Sequence, residues 1–596
     1  MSMTIASLLS DYRLGKRKPG EVIGSLPADG AYACAWISRV APDALAARAR
    51  QLEQMLRDDP RAAARLPLYG IPFAVKDNID VAGMPTTAAC PAFSYVPARS
   101  ATAVEKLEAA GAILVGKTNL DQFATGLVGT RSPYGAVPNS FRKEYISGGS
   151  SSGSAVTVAR GSVSFSLGTD TAGSGRVPAG LNNIVGLKPS RGLISTRGVV
   201  PACQSLDCVS VFALTVPDAV AVLDVLRGYD AGDPWSRKLK LSARQLPERF
   251  TFALPAPLEF HGDAHAMHAF NEAVDRLKGL GGKAVEVDFA PFLETAALLY
   301  EGPWVAERLA AIRPFFEKHA DEVHPVVRKI IEGATKYSAA DVFAGLTRLE
   351  ALKKTAAAIW DRADVMLVPT APTAYTIAEL TAEPFVNNRR LGHYTNFVNL
   401  LDLAACAVPA AMRPDGLPTG ITLIAPAGSD LVLADLAQSF HQRTGLKLGA
   451  LDETLPPPEL IAFADDSVRV AVVGAHLSGL PLNHQLTERG ARLEKSTRTS
   501  ARYRLFALPG TVPPKPGMVR DPDRGSALEV EVWRLPVSEY GSFVAGIPSP
   551  LGIGRVELDD GEWVQGFVCE SWATAGAEEI SQLGGWRAFL ARNAAK

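Results

Sequence analysis

Three stretches of the sequence hold residues whose types and spacing could do chemistry. The first is Gly70-Ile-Pro-Phe-Ala-Val-Lys76-Asp77-Asn78, where a lysine closes a mainly apolar run. An ammonium buried among such neighbours loses hydration, so its pKa falls and a free amine becomes available as a base near neutral pH. Taken alone, Lys76 reads as half of a structural ion pair. The second stretch is Ser147-Gly-Gly-Ser150-Ser-Ser-Gly-Ser154. A Gly/Ser run is often a linker, but this one leads straight into AVTVARG and VSFSLG, so it opens an ordered element. If that element is a helix, its first N–H groups favour an anion or a polarised oxygen. The third is Gly168-Thr-Asp170-Thr171-Ala172-Gly173-Ser174-Gly175-Arg176, which follows an apolar strand. A hydroxyl there sits at the strand's carboxyl end, where open α/β sheets bind ligands. Consecutive N–H groups of Thr171, Ala172 and Gly173, continuing to Ser174, suit an oxyanion hole beside a nucleophilic Ser174. The plain alternative for Ser174 is a turn serine.

The histidines bear on the mechanism. All nine lie at or beyond position 261, outside the part of the chain that carries these loops. A Ser–His–Asp triad would need a distant histidine, with His393 the best candidate, whereas a Ser–Lys pairing needs only Lys76. The segment HGDAHAMH (261–268) has histidines at spacings a metal could use. No cysteine or second shell accompanies them, so a solvated helix face is expected, with no metal and no cofactor.

These loops need a scaffold. The runs IPFAVKD (71–77), AILVGK (112–117), VSFSLGTD (163–170), FTFALP (250–255), KAVEVDF (283–289), VMLVPT (365–370) and ITLIAP (421–426) read as buried strands. DALAARARQLEQML (43–56) and ATAVEKLEAAG (101–111) carry helical spacing, and 292–362 reads as two long helices. Such alternation predicts an α/β domain around a mostly parallel sheet. At 596 residues the chain is too long for one core. A boundary is expected at LDETLPPPELIAFADD, giving domains at 1–450 and 467–596 joined by a linker at 451–466. Beyond it, VRVAVVGAH (468–476), RYRLFAL (502–508), ALEVEVWRL (527–535) and a hairpin within 554–570 predict a smaller β-rich α+β domain, closed by a helix near 581–593.

Composition is that of an ordinary soluble protein, 47% hydrophobic and 21% charged, with 61 basic and 62 acidic residues. A net charge of −1 gives no field for a polyanion, so no nucleic-acid partner is expected. The absence of a long apolar run argues against a membrane partner, the N-terminus lacks a secretory pattern, and six scattered cysteines suggest reduced thiols. A cytoplasmic enzyme fits these features.

The three stretches, in this order and 74 and 24 residues apart, resemble the three blocks of the amidase-signature family. The resemblance covers most of the first 450 residues. It implies an α/β/α sandwich with a large mixed sheet. It also implies that Ser174 attacks a carbonyl while Ser150, at a cis peptide, relays the proton to neutral Lys76. Ser152 and Ala172 stand where many members have glycine, which predicts a tuned pocket rather than lost activity.

Within the family, IVGLKPSRGLISTRGVVPACQSLDCVSVFA resembles the allophanate hydrolase branch. Tyr300 and Arg308, in LLYEGPWVAERLAAI, resemble that branch's carboxylate-binding pair, and Gly126 resembles a substrate contact. Pro303 could interrupt the helix between the two. Arginine suits a small anionic amide because it can hold a carboxylate through two parallel hydrogen bonds. The implied reaction is hydrolysis of allophanate to ammonia and carbon dioxide in urea or cyanuric acid degradation. The alternatives are a general amidase and a glutaminase-type amidotransferase subunit. The opening VAVVGAHLSGLPLN of the second domain resembles γ-glutamylcyclotransferase-like folds. The resemblance implies that this domain assists decarboxylation of N-carboxycarbamate, with His476 as the candidate residue and Lys515 and Arg520 as sources of positive charge. A homodimer and metabolic coupling to urea carboxylase are further implications of the resemblance.

Overall fold

The computed structural model describes residues 2–27, 30–239, 241–242, 246–461, 463 and 467–594. Contacts divide the chain into two compact units, one spanning Met1–Ser242 and Leu246–Ile461, the other built from Ala462–Lys596.

The first unit is organised on eleven strands: β1 (Trp36–Arg39), β2 (Pro72–Lys76), β3 (Ile113–Thr118), β4 (Phe165–Asp170), β5 (Val185–Lys188), β6 (Cys208–Ala213), β7 (Phe250–Ala256), β8 (Gly282–Asp288), β9 (Val365–Pro369), β10 (Leu403–Met412) and β11 (Pro418–Pro426). They form one sheet in the order β1-β3-β2-β4-β6-β5-β10-β11-β9-β7-β8. Helices Ser152–Ala159, Val216–Leu226 and Asp430–Gln442 pack on β4, β6 and β10 respectively, which leaves those strands buried on both faces.

The sheet is mixed, as the family resemblance implies, which corrects the mostly parallel sheet read from the alternation of strands and helices. Only β2 with β3 and β4, and β7 with β8 and β9, run parallel. The centre is antiparallel, from β4–β6 through β5 and β10 to the β10–β11 hairpin. Strands covered on both faces are uniformly apolar, so their sequences carry no mark of direction. The segment read as two long helices is four: Ala290–Glu301, Trp304–His319, Pro325–Glu332 and Ala339–Ala357. Gly302 and Pro303 end the first, Pro325 starts the third at its first turn, and the capping box of Ser338 with Asp341 starts the fourth. The stretch expected to be a linker is attached to the first unit up to Ile461. Gln442 Nε2 donates to Pro456 O at 2.7 Å, and Gln438 and Glu459 exchange two hydrogen bonds.

The second unit holds β12 (Ser467–Val472), β13 (Arg492–Arg498), β14 (Tyr503–Ala507), β15 (Pro516–Arg520), β16 (Glu529–Pro536), β17 (Leu551–Glu557), β18 (Trp563–Cys569) and β19 (Glu578–Glu579). Five form the sheet β13-β16-β12-β18-β17 and three the smaller sheet β15-β14-β19. Val470, Val472, Leu505, Val532, Phe567 and Trp586 belong to its core. The hairpin β17–β18 turns at Gly561, whose φ of +82° lies in the region glycine favours. Sequence reading missed β1, β5, β6 and β10 in the first unit, and β13, β15 and the helix Val537–Ala545 in the second. β13 alternates too few apolar residues to stand out as a strand. Among the described residues no helix is long and apolar enough to cross a membrane, and all six cysteines are unpaired.

Candidate active site

Lys76 is the last residue of β2, which lies between two parallel neighbours, so three carboxyl ends emerge together. The amine is fully buried and donates to Ser150 Oγ at 2.8 Å and to Thr169 Oγ1, near the end of β4, at 2.7 Å. Burial pushes its pKa down to about 7, against the pull of Asp121, Asp207 and Asp170. Ser150 follows the cis peptide Gly149–Ser150 and precedes the helix Ser152–Ala159. Its Oγ donates to Ser174 Oγ at 2.9 Å, so Lys76, Ser150 and Ser174 are joined in one buried chain. With a charged amine the protons point outward from lysine. Once the amine is neutral its lone pair accepts, the chain reverses, and a proton can be drawn from Ser174.

Ser174 sits on a tight turn organised by Asp170. This carboxylate takes Arg176 Nε and Nη2, each at 2.9 Å, together with Gly173 N at 3.0 Å and Gly175 N at 2.9 Å. Burial opposes ionisation there, yet the Arg176 guanidinium holds Asp170 below the usual carboxylate range. One sequence expectation changes as a result. Gly173 N–H is committed to Asp170, whereas the N–H groups of Thr171, Ala172 and Ser174 make no hydrogen bond among the described residues. Gly173 must still be glycine, because its φ is +132° and a Cβ would lie 2.4 Å from Thr395 Oγ1. The two departures from the family pattern lead into packing. Ser152 Oγ donates to Asn119 O at 3.3 Å, and Ala172 belongs to the apolar cluster of Tyr394 and Phe397.

The three residues expected to contact substrate gather beside this turn. Ser174 Oγ lies 3.5 Å from Gly126 O, and the adjacent Thr125 Oγ1 accepts from Arg308 Nη1 at 3.1 Å. Arg308 is 3% exposed, and its Nε and Nη2 are buried without a partner among the described residues. The Tyr300 ring faces its guanidinium at 5.0 Å. The two residues stand on different helices, since the break at Gly302–Pro303 separates Ala290–Glu301 from Trp304–His319. Neither Glu307 nor Glu301 pairs directly with Arg308, although Asp207 and Glu307 both favour its charge. Glu307 accepts from Ser205 N and Oγ, and Glu301 pairs with Arg389 at 3.7 Å. A cleft of about 400 Å³ bordered by Arg131, Tyr300, Asn388 and His393 lies alongside.

His393, the triad alternative, is not joined to Ser174. It packs edge-on against Tyr394 at 4.5 Å and near His261 at 5.9 Å, and burial lowers its pKa to about 4. His261 precedes the helix Ala264–Lys278, so the three histidines of that segment do not share one face. Among the described residues no cluster of acids, histidines or cysteines could hold a metal. Sequence reading missed Thr125, Thr169 and Asp207. Asp207 takes a hydrogen bond from Thr171 Oγ1, and burial pushes its pKa up to about 6. Its only sequence signal is a lone acid at the edge of the apolar run CVSVFA.

In the second unit His476 lies in the loop after β12, four residues past the strand end where it was expected. Its Nε2 pairs with Gln485 Oε1 at 3.0 Å, its ring stacks on Phe567 at 4.9 Å, and burial lowers its pKa. It borders a cavity of about 220 Å³ together with Lys515. Arg520 does not join them. It pairs with Glu557 at 3.0 Å and stacks on Trp563.

Comparison with known proteins adds to this geometry. A profile of the Amidase family matches residues 32–433, and one for the allophanate hydrolase C-terminal domain matches residues 468–591. The urea amidolyase of Saccharomyces cerevisiae is 46% identical over 576 residues, which is 93% of this chain but only 31% of that protein. The solved structure of Kluyveromyces lactis allophanate hydrolase is 44% identical, covers 99% of each chain and superposes with a TM-score of 0.81. A solved peptide amidase is more distant, 27% identical over 74% of this chain and 97% of its own, with a TM-score of 0.64.

Proposed function

The chain belongs to the amidase family, and from that premise we propose that it hydrolyses allophanate by serine acyl-enzyme chemistry. The observation that carries the choice of substrate is Arg308, a buried guanidinium whose Nε and Nη2 have no partner among the described residues. It bonds Thr125, one residue from the Gly126 backbone oxygen that contacts the nucleophile. A buried charge with free donors costs free energy unless a ligand supplies the partner, and a carboxylate matches two donors of a guanidinium. A small anionic amide supplies both that carboxylate and a scissile carbonyl.

In this reading neutral Lys76 takes the proton of Ser150 as Ser150 takes that of Ser174. The Ser174 oxygen attacks the amide carbon, and the developing oxyanion meets the N–H groups of Thr171 and Ala172, with Gly173 holding the turn. Reversal of the relay protonates the nitrogen, ammonia leaves, and water then hydrolyses the ester on Ser174. Arg308 and Tyr300 hold the carboxylate while Gly126 borders the acyl group. N-carboxycarbamate is the product, and His476 with Lys515 is proposed to assist its decarboxylation in the second unit. The chain acts in the cytoplasm as a homodimer, metabolically coupled to a urea carboxylase.

The test is ammonia release from allophanate by the purified chain, compared with biuret, glutamine and simple amides. Activity confined to glutamine or to simple amides would favour a glutaminase-type subunit or a general amidase. Unchanged allophanate kinetics in Arg308→Ala would refute the substrate assignment.

A further inference from the structure

The loop 202–207 supplies none of the reacting groups, yet it is bonded at both ends to elements that do. At one end Asp207 Oδ1 accepts from Thr171 Oγ1 and from Cys203 N at 3.3 Å, and Oδ2 accepts from Ala202 N at 2.8 Å. Thr171 opens the turn that carries Ser174. At the other end the Glu307 carboxylate takes Ser205 N and Ser205 Oγ, each at 2.7 Å, and Cys203 Sγ donates to Trp304 O at 3.6 Å. Glu307 directly precedes Arg308 in the first turn of its helix. Cys203 and Leu206 share an apolar cluster with Leu299 and Trp304, which precede Arg308 along the chain.

We infer that this loop is a strut setting the separation between the anion clamp and the nucleophile, with Glu307 and Asp207 as positioning residues that select short anionic amides. The inference rests on Arg308 being the clamp. Arg308 and Ser174 contact adjacent residues, Arg308 through Thr125 Oγ1 and Ser174 through Gly126 O, so clamp and nucleophile border one short stretch of backbone. Such a site fits a carboxylate and an amide carbonyl joined through one atom and crowds a longer chain.

A double-mutant cycle in the full chain tests this, with kcat and KM measured for allophanate and for succinamate, which has one more bridging atom. Glu307→Gln should raise KM for allophanate about tenfold and narrow the preference over succinamate, as expected when a remote tie misplaces a binding group. Loss of a negative charge beside Arg308 would by electrostatics alone lower KM, so the sign separates the two effects. In an Arg308→Ala background the same change should add less than about twofold, because both act through one group. Asp207→Asn should act on kcat instead. Ser205→Ala, which removes one bond to Glu307, is read in the same way if Glu307→Gln does not fold. Equal effects of Glu307→Gln in both backgrounds, or an unchanged allophanate-to-succinamate ratio, would overturn the strut. Wild-type kinetics in Arg308→Ala would instead overturn the clamp.

Discussion

Replacing Lys76 by methionine should inactivate the protein and at the same time stabilise it near neutral pH. The buried amine has a pKa of about 7 in the folded chain against an ordinary lysine value of 10.5. The folded value is the lower one, so between these two pH values the unfolded chain binds more protons and native stability rises with pH. The cost of burial is complete below pH 7 and vanishes above the ordinary lysine value. Integrated over that window, it is about 4 kcal/mol at pH 7 and about 2 kcal/mol at pH 9. Methionine removes the cost but leaves the Ser150 and Thr169 hydroxyls without the amine they now accept from, at about 1 kcal/mol each. The variant should therefore exceed the wild type by about 2 kcal/mol at pH 7, and the gap should close by about 2 kcal/mol at pH 9. Denaturant unfolding of both proteins at the two pH values measures this, and comparing the two gaps cancels any packing change. In parallel, wild-type kcat/KM should fall about tenfold per pH unit below pH 7 and level off above it, as required of a base that must be neutral. A gap that does not change with pH, or an activity profile flat across pH 7, would refute a neutral buried lysine.

Arg308→Met should lower kcat/KM for allophanate by about 30- to 1000-fold, the equivalent of losing about 2–4 kcal/mol of charge-assisted hydrogen bonding, and steady-state kinetics would read this mainly in KM. Ser174→Ala should abolish turnover while leaving binding measurable by calorimetry, because the anion clamp is untouched. Gly126→Ala should cut kcat more than about tenfold and lower Tm, since its Cβ would lie 2.7 Å from Asp121 Oδ2 and 3.0 Å from Arg131 Nη1. His476→Ala should leave the first ammonia release intact and slow carbon dioxide formation, resolved by following both products in one reaction.

The three loops were legible in the sequence because chemistry there leaves unusual residues in unusual places. A lysine ends an apolar strand, a glycine-rich run starts a helix, and a serine follows a strand through Ala-Gly. The strands beside them stood out by their apolar runs. Direction did not, because strands buried on both faces carry no mark of it; β5, β6 and β10 were not read as strands, and only the family resemblance implied that the sheet is mixed. The break at Pro303 was foreseen, but the helical segment was otherwise misdivided because its later breaks were read as lying inside longer helices.

Local residue order thus decided which groups are present and on which kind of element each is carried. Only the folded chain decided how they combine. It committed Gly173 N–H to Asp170, left two donors of Arg308 without a partner among the described residues, set His393 apart from Ser174, and tied Asp207 and Glu307 to one loop. The Gly173–Asp170 bond spans only three residues, but the surroundings of Arg308, the place of His393 and the ties of Asp207 to Thr171 and of Glu307 to Ser205 depend on residues far apart along the chain, and hydrogen-bond partners and burial at such range are properties of packing that no local pattern encodes.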